Sequence, residues 1–211
     1  MLLQVIKLEE HHTSLLERFC NECGEIGYNN NASIEAMKFG GTYDLGERAT
    51  FFAVTVDGEI AAVSGSHSFG SKALRLGFRG CALPRFSGII KGLSKTHMTN
   101  LTWGPLVPEE IIDGLERGYE EFFITTSHTS HDPSGRMHRT HKVMQLLAKQ
   151  DIVEYVGIET FYHIPQTKWK FNLPRFFQSV KAFDPIRQEL NILPYKYSAT
   201  HPLIERYFKC S

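Results

Sequence analysis

The chain has 211 residues, of which 42% are hydrophobic and 22% are charged, and its 23 basic residues balance 23 acidic ones. These fractions are typical of a soluble globular protein with a substantial core, and they exclude an intrinsically disordered chain. A net charge of zero gives no general attraction to nucleic acid or to an anionic membrane, so we expect neither as a partner. No apolar run reaches the roughly eighteen residues of a membrane helix, and the first residues lack a signal-peptide pattern, which together predict a cytoplasmic protein.

The first part of the chain is predicted to form a strand followed by two helices. Leu2 to Leu8 is mostly apolar and indicates a strand, while His11 to Ile26 carries apolar residues at helical spacing. A short helix, Ile34 to Phe39, ends at two glycines. Cys20 and Cys23 lie on the apolar face of the longer helix. Because no second cysteine pair of that spacing follows, we interpret them as small buried residues with free thiols, not as zinc ligands.

Three strands are predicted next, over Ala49 to Val56, Glu59 to Ser68 and Ala73 to Leu83. The first two are joined by Asp57-Gly58, the dipeptide type that most favours a tight hairpin. We therefore expect an antiparallel meander in the middle of a chain that otherwise alternates between helices and strands.

The composition changes after Pro84, where glycine, serine, threonine and basic residues dominate and acidic residues are few. We expect a loop with one short helix in this region. A clear helix then runs from Pro108 to Phe122, with proline in its first turn and two acids near the positive end of its dipole.

The stretch from Phe122 to Phe171 is predicted to contain a strand, a polar loop, a helix and a second strand. Phe122 to Ser127 is β-branched and aromatic throughout, and a loop containing proline and glycine follows it. Ser134 is a plausible N-cap for the helix. The second strand runs from Ile152 to His163, ends at Pro165, and resumes over Thr167 to Phe171.

The last forty or so residues differ in composition from the rest of the chain. We assign residues 1–171 to one domain and 172–211 to a C-terminal extension, because the extension has too little apolar content to fold alone. A short amphipathic helix is expected at its start, and three prolines divide the remainder. Two roles stay open for the extension: it covers the sheet, or it forms a subunit contact in a homodimer.

This order of elements resembles that of the GNAT superfamily of acyltransferases, over residues 1–171. The resemblance implies an α/β fold with a mixed sheet and an acyl-coenzyme A cofactor such as acetyl-coenzyme A. In that superfamily a turn after the fourth strand, with the pattern Arg or Gln, two residues, Gly, one residue, Gly or Ala, holds the pyrophosphate through backbone N–H groups. Arg85 and Gly88 match this pattern here, whereas Ile90 departs from it.

Cofactor binding is expected, by that resemblance, along the end of the fourth strand and the turn after it. Successive amides at a helix start form an anion site, and glycine lets a phosphate approach the backbone. An apparent insertion between Lys91 and Pro105 leaves a second location for the turn open, near Gly104. The residues expected to contact the cofactor are Cys81, Ala82, Leu83, Arg85, Ser87, Gly88, Ile89 and Lys91.

The resemblance also implies direct attack of an amine on the thioester, with a small molecule or a peptide as the acceptor. His128 lies just beyond the fifth strand and is the candidate base, since an imidazole titrates near neutral pH. The N–H of Leu83 is the implied oxyanion donor. A tyrosine that protonates the departing thiolate in the superfamily is replaced by Leu147, so Tyr162, Ser127 and Tyr155 are the candidate acids.

Two other functions fit parts of the sequence. Five potential metal ligands lie within fourteen residues, and they suggest a metal-dependent hydrolase, although their spacing matches no strong metal motif. A buried, hydrogen-bonded His141 is the simpler explanation of one of them. Alternatively, Leu147 and Ile90 favour a binding protein that keeps the GNAT fold without its catalysis. The five potential ligands are His128, His131, Asp132, His138 and His141.

Overall fold

The structure, a computed structural model, describes residues 1–25, 49–89, 101–131, 134–135, 137–161 and 163–208, without the side chains of Arg79, Ser87 and Arg139. Several predictions made above therefore lie outside the described residues. These are the short second helix at 34–39, the cofactor contact of Lys91, the potential ligand Asp132 and the candidate acid Tyr162.

The described residues form one mixed sheet of eight strands in the spatial order β6-β7-β5-β4-β3-β2-β1-β8. Neighbouring strands are antiparallel except for the pairs β1–β8 and β4–β5, which are parallel. The strands are β1 (Leu3–Lys7), β2 (Thr50–Val56), β3 (Glu59–Ser68), β4 (Ala73–Ala82), β5 (Glu121–Ser127), β6 (Val153–Phe161), β7 (Ile164–Phe171) and β8 (Ile192–Leu193).

Five α-helices and three short 3-10 helices occur in the described parts of the chain. The α-helices are α1 (Thr13–Glu25), α2 (Leu106–Glu116), α3 (Arg139–Ala148), α4 (Leu173–Ala182) and α5 (Asp184–Glu189). The 3-10 helices are Glu10–His12, Pro84–Ile89 and Glu205–Tyr207.

Helices cover both faces of the sheet. Val63 is paired with Cys81, whose sulfur contacts Cys23 of α1. The next residue of β3, Ser64, hydrogen bonds with Glu110 of α2. Since successive side chains of a strand point to opposite faces, α1 and α2 lie on opposite sides of the sheet.

Two apolar clusters hold these layers together. One includes Phe19 of α1 and the fully buried Phe52 of β2. The other includes Phe122 of β5, Met144 of α3 and Phe176 of α4, all at most 1% exposed. The second cluster places α3 and α4 on the face that α2 covers, and it leaves the opposite face of β5 and β7 without a described helix.

The predicted hairpin between β2 and β3 is confirmed, with both turn residues, Asp57 and Gly58, at positive φ. Three boundaries were wrong by more than two residues. The helix predicted over Pro108 to Phe122 is α2, which ends at Glu116 before Gly118, at a φ of +86°. The helix α3 begins at Arg139, because an isolated bridge between His131 and Met137 precedes it and Ser134 lies in a turn. The proline at 165 does not interrupt the last strand. It pairs with Thr160 near the start of β7, where a missing N–H is tolerated.

The C-terminal extension contacts the same sheet through several elements. The strand β8 adds to the free edge of β1, and the predicted amphipathic helix is present as α4. The carboxylate of Glu109, in α2, accepts hydrogen bonds from the backbone N–H groups of Tyr195, Lys196 and Tyr197. Within the described residues, no helix is long and apolar enough to cross a membrane.

Candidate functional site between strands β4 and β5

The strands β4 and β5 pair at their first residues and then separate. Parallel pairing joins Ala73–Arg75 to Glu121–Phe123 and stops there. Beyond this point β4 stays paired with β3 as far as Ala82, while β5 stays paired with β7 as far as Ser127. The opening between residues 78–82 of β4 and 124–127 of β5 is called the β4–β5 gap below.

Gly77 lies where the two strands part. Its φ of +67° belongs to the left-handed region, and the register between β3 and β4 shifts on both sides of the neighbouring Phe78. A β-carbon built on Gly77 would come within 2.7 Å of Cδ1 of Ile124. The bulged backbone at this position therefore depends on glycine, and it turns β4 away from β5.

A buried carboxyl group holds this bulge from the α2 side. Oε2 of Glu110 accepts the N–H of Gly77 at 3.0 Å, and Ser64 also hydrogen bonds to the carboxyl. The other oxygen, Oε1, has no hydrogen-bond partner among the described residues. Burial raises the pKa of Glu110 to about 8, so the carboxyl is mostly protonated at neutral pH.

Polar side chains connect the strands on the opposite face. Nε of Arg75 donates to Oγ1 of Thr125 at 3.0 Å, and this hydroxyl donates to Oε1 of Gln166 at 2.5 Å. The three residues belong to β4, β5 and β7. They cross the sheet at the closed end of the β4–β5 gap, so the point of separation is fixed on both faces.

The end of β4 presents a backbone edge to the gap, but through a different residue than expected. The N–H of Leu83 donates to the carbonyl of Ala61 in β3 at 2.9 Å, so the predicted oxyanion donor is already engaged. In an antiparallel ladder, N–H and C=O directions alternate from residue to residue. Ala82, paired with Ala62, therefore directs its N–H and C=O away from β3 and toward the gap.

The predicted phosphate turn is a 3-10 helix, Pro84–Ile89, whose arginine is occupied. The guanidinium of Arg85 donates to Glu22 at 2.7 Å and to Glu59 at 3.0 Å. Two carboxylates beside one guanidinium leave a net negative charge, which does not favour a phosphate. The Arg85 side chain is therefore held by carboxylates, and the predicted contact of the cofactor with the backbone of this turn stays a prediction. Gly88, in contrast, is exposed and has open space where a side chain would be.

The candidate catalytic residues Ser127 and His128 are adjacent and exposed at the end of β5. The hydroxyl of Ser127 lies 2.9 Å from that of Thr129. Nδ1 of His128 lies 3.1 Å from the carbonyl oxygen of Pro165, which requires this nitrogen to carry the proton. The bond draws the ring toward β7, on the side of β5 away from the gap, and leaves Nε2 as the basic nitrogen.

The histidines on α3 and the loop before it do not assemble a metal site within the described part of the chain. No group of three or more potential ligands there could hold a metal ion. Nδ1 of the buried His141 lies 3.3 Å from Oγ1 of Thr126, which also accepts the indole N–H of Trp169 at 3.0 Å. Burial and the nearby His131 and His138 lower the pKa of His141. The interpretation of His141 as a hydrogen-bonded core residue is confirmed.

Leu147, which the resemblance places at the position of the superfamily's proton-donating tyrosine, is 2% exposed in the core around α3. An aliphatic side chain there supplies no proton. Sequence reasoning did not single out His67 of β3, a buried histidine whose Nδ1 lies 2.9 Å from the carbonyl oxygen of Ser68. Burial lowers the pKa of His67 to about 4, so it is neutral at physiological pH.

The residues present fit the pantetheine arm of an acyl-coenzyme A molecule better than its phosphate groups. An extended pantetheine arm matches a gap between two strands with an outward-directed backbone edge at Ala82, because its amides can pair as an added strand does. Gly88 leaves room for close approach of a phosphate, whereas Arg85 with its two carboxylate partners does not attract one.

No protein-family model matches the sequence, and no curated protein matches it. Solved structures share the architecture. The aminoglycoside 6'-N-acetyltransferase from Enterococcus faecium superposes with a TM-score of 0.51 at 11% identity, over 79% of this chain and 95% of that one. An acetyltransferase from Streptococcus agalactiae 2603 gives 0.50 at 10% identity, over 80% and 97%. An acetyltransferase of the GNAT family from Staphylococcus aureus Mu50 gives 0.49 at 9% identity, over 80% and 98%. The two superpositions at 0.50 and above show that the chain has the fold of those acetyltransferases, the mixed α/β fold that the GNAT resemblance predicts.

Proposed function

We propose that the protein is an acyl-coenzyme A-dependent N-acyltransferase that uses acetyl-coenzyme A or a related thioester. The observation that carries this proposal is the β4–β5 gap, which begins where Arg75 and Phe123 end the parallel pairing. A strand pair that separates within an otherwise continuous sheet leaves backbone groups unpaired, and a ligand that satisfies them gains both hydrogen bonds and shielding from water. Ala82 supplies such groups.

When bound, an acyl-coenzyme A supplies a thioester carbonyl for attack by the amine of a small molecule or a peptide. Ala82 binds the arm through its N–H and C=O, and the bulge at Gly77 sets how far the strands open. The acceptor lies on the face of β5 and β7 opposite α2, beside the half-buried Gln166. In this proposal the α2 face of the sheet supports the fold, and the reaction takes place on the opposite face.

His128 is the proposed base. Its Nδ1–H is held by the Pro165 carbonyl at 3.1 Å, so Nε2 is free to accept a proton from an amine. To reach the gap the ring must leave the Pro165 carbonyl and rotate from the β7 side, and the exposure of His128 permits this. Ser127 and Tyr162 are the proposed donors to the departing thiolate, since Leu147 cannot supply the proton that the tyrosine of the superfamily supplies.

A pair of substitutions at one position tests the proposal directly. Ala82→Pro removes the N–H that faces the gap and leaves the pairing of β4 with β3 intact, since that N–H is not part of the ladder. Ala82→Ser keeps the N–H and changes the side chain by one oxygen, so it is the matched control. Affinity for coenzyme A and acetyl-coenzyme A is measured by calorimetry, together with the melting temperature of each unliganded variant.

We expect the original protein and Ala82→Ser to bind with similar affinity and Ala82→Pro to bind at least about tenfold more weakly, as for loss of one buried hydrogen bond and close fit. The unliganded melting temperatures should stay within a few degrees of one another. Absence of binding by the original protein at millimolar coenzyme A contradicts the proposed function. Binding without turnover across a panel of amines identifies instead a GNAT-fold binding protein.

A further inference from the structure

Two cysteines from distant parts of the sequence meet beside the β4–β5 gap. Sγ of Cys23, on α1, lies 3.6 Å from Sγ of Cys81, on β4, and 58 residues separate them. A disulfide has an S–S distance of about 2.05 Å, so closing this contact requires a shift of only about 1.5 Å, within reach of small side-chain rotations. Both cysteines are free thiols.

The two thiols differ in environment. Cys81 is half-buried, whereas Cys23 is 7% exposed. The hydrogen bond from Cys23 lowers the pKa of the Cys81 thiol, while the same contact and burial raise the pKa of the Cys23 thiol. The thiolate is the reactive form of cysteine, so Cys81 is the member of the pair that an oxidant reaches and oxidises first.

We propose that Cys81 and Cys23 are an oxidation site that hydrogen peroxide converts to a disulfide between β4 and α1. The Cys81 thiolate attacks one peroxide oxygen, the O–O bond breaks, and the products are a Cys81 sulfenic acid and, after protonation, water. The sulfur of Cys23 then attacks the Cys81 sulfur, the S–O bond breaks, and a second water leaves. Two thiols and one peroxide thus give one disulfide and two waters.

The disulfide links α1 to β4 at Cys81, the residue before Ala82. The two cysteines are 58 positions apart, so the disulfide restricts the unfolded chain and thereby stabilises the folded state. We expect the oxidised protein to melt about 5–10 °C higher than the reduced protein. The proposal rests on the positions of the sulfurs and is independent of the proposed acyl transfer.

Peptide mapping tests the pairing. The fully reduced chain is treated with one equivalent of hydrogen peroxide, alkylated, and digested with trypsin, which releases Cys81 in residues 80–85 and both helix cysteines in residues 19–38. Cleavage after Glu22 then separates Cys20 from Cys23. Cys23→Ala removes the proposed partner, and Cys20→Ala is the matched control from the same buried helix face.

The expected result is one cross-link between residues 80–85 and the fragment that begins at Cys23, in the original protein and in Cys20→Ala, and none in Cys23→Ala. The rise in melting temperature should follow the same pattern. The proposal is overturned if Cys81 proceeds to sulfinic acid while Cys23 stays reduced. A cross-link that contains Cys20 or Cys210 in place of Cys23 overturns it as well.

Discussion

The carboxyl of Glu110 accepts the backbone N–H of Gly77 at 3.0 Å, at the point where β4 leaves β5. The N–H of Gly77 thus donates to a side chain of α2 and not to the backbone of a neighbouring strand. The acceptor is fully buried, so the bulge does not depend on water for its hydrogen bond. The hydrogen bond from Gly77 to Glu110 therefore stabilises the sheet in the conformation in which β4 and β5 are separated.

This support makes stability depend on pH. The pKa of Glu110 is raised from 4.5 to about 8, so between these values the folded protein holds a proton that the unfolded chain has lost. Stability from this group is complete below about pH 4.5 and falls as pH rises toward about 8, by up to about 1.4 kcal/mol per pH unit. Urea unfolding between about pH 5 and pH 8 measures the slope.

Glu110→Gln is the control for this slope, because a neutral amide can still accept from Gly77 and does not titrate. As pH rises, the unfolding free energy of the original protein should fall steadily relative to that of Glu110→Gln. Other groups, including the buried Glu109, titrate in both proteins and cancel in this difference. Parallel pH profiles for the two proteins would show that Glu110 does not titrate in this range.

The close approach of Gly77 to Ile124 predicts a specific pattern of destabilisation. Gly77→Ala places a methyl group at positive φ and 2.7 Å from Cδ1 of Ile124. Gly58→Ala, at a φ of +87° with open space around it, carries only the backbone strain of about 1–2 kcal/mol. We expect Gly77→Ala to cost more than Gly58→Ala in chemical unfolding.

The steric part of that cost resides in one atom. Ile124→Val removes Cδ1 and by itself costs about 0.5–1.5 kcal/mol. In the combination with Gly77→Ala, the two changes should destabilise the protein by less than the sum of the single effects. Simple additivity in this double-mutant cycle would mean that the bulge relaxes away from Ile124 and that its position is not fixed.

His128 as the base predicts a loss in turnover without a loss in cofactor affinity. His128→Ala should lower kcat by about 10²–10⁴-fold with an amine that the acceptor panel identifies. His131→Ala is the matched control, since His131 is also exposed and three residues away, with its Nδ1 2.7 Å from the hydroxyl of Ser130. Equal turnover of the two variants would remove His128 from the mechanism. A weaker affinity of His128→Ala for coenzyme A would instead assign it to binding.

The strands were predictable from sequence because each depends on a local pattern. The continuous run of aromatic and β-branched residues in β5 and the Asp57-Gly58 turn are signals within a few residues, and the structure has both where they were expected. The beginning of α3 was not predictable in the same way. The bridge between His131 and Met137 extends the turn, and no residue in that loop signals it.

The details of the site depend on pairing over longer distances. Which of Ala82 and Leu83 faces the gap is decided by bulges in β4, and a shift of one residue reverses every such direction. The carboxyls of Glu109 and Glu110, at the start of a helix, match the pattern of a solvated helix terminus, yet both are buried. Their partners come from β4 and from residues 195–197, which the sequence near α2 cannot indicate.

Glu109 predicts how firmly the C-terminal extension is held. Its carboxylate accepts from three consecutive backbone N–H groups at 195–197, at distances between 2.9 and 3.2 Å. Glu109→Ala leaves these donors without the carboxylate and creates a cavity, so we expect a loss of about 3 kcal/mol in unfolding free energy. Glu109→Gln keeps one acceptor oxygen and should lose less, about 1 kcal/mol.

Hydrogen exchange locates the effect. In the original protein the amides of Tyr195, Lys196 and Tyr197 should exchange slowly, because their opening requires the extension to leave α2. Glu109→Ala should accelerate these amides far more than those of β2, whose hydrogen bonds do not involve the extension. Uniform acceleration across the sheet would show instead that the extension and the sheet unfold as one unit, and that the three hydrogen bonds contribute only to global stability.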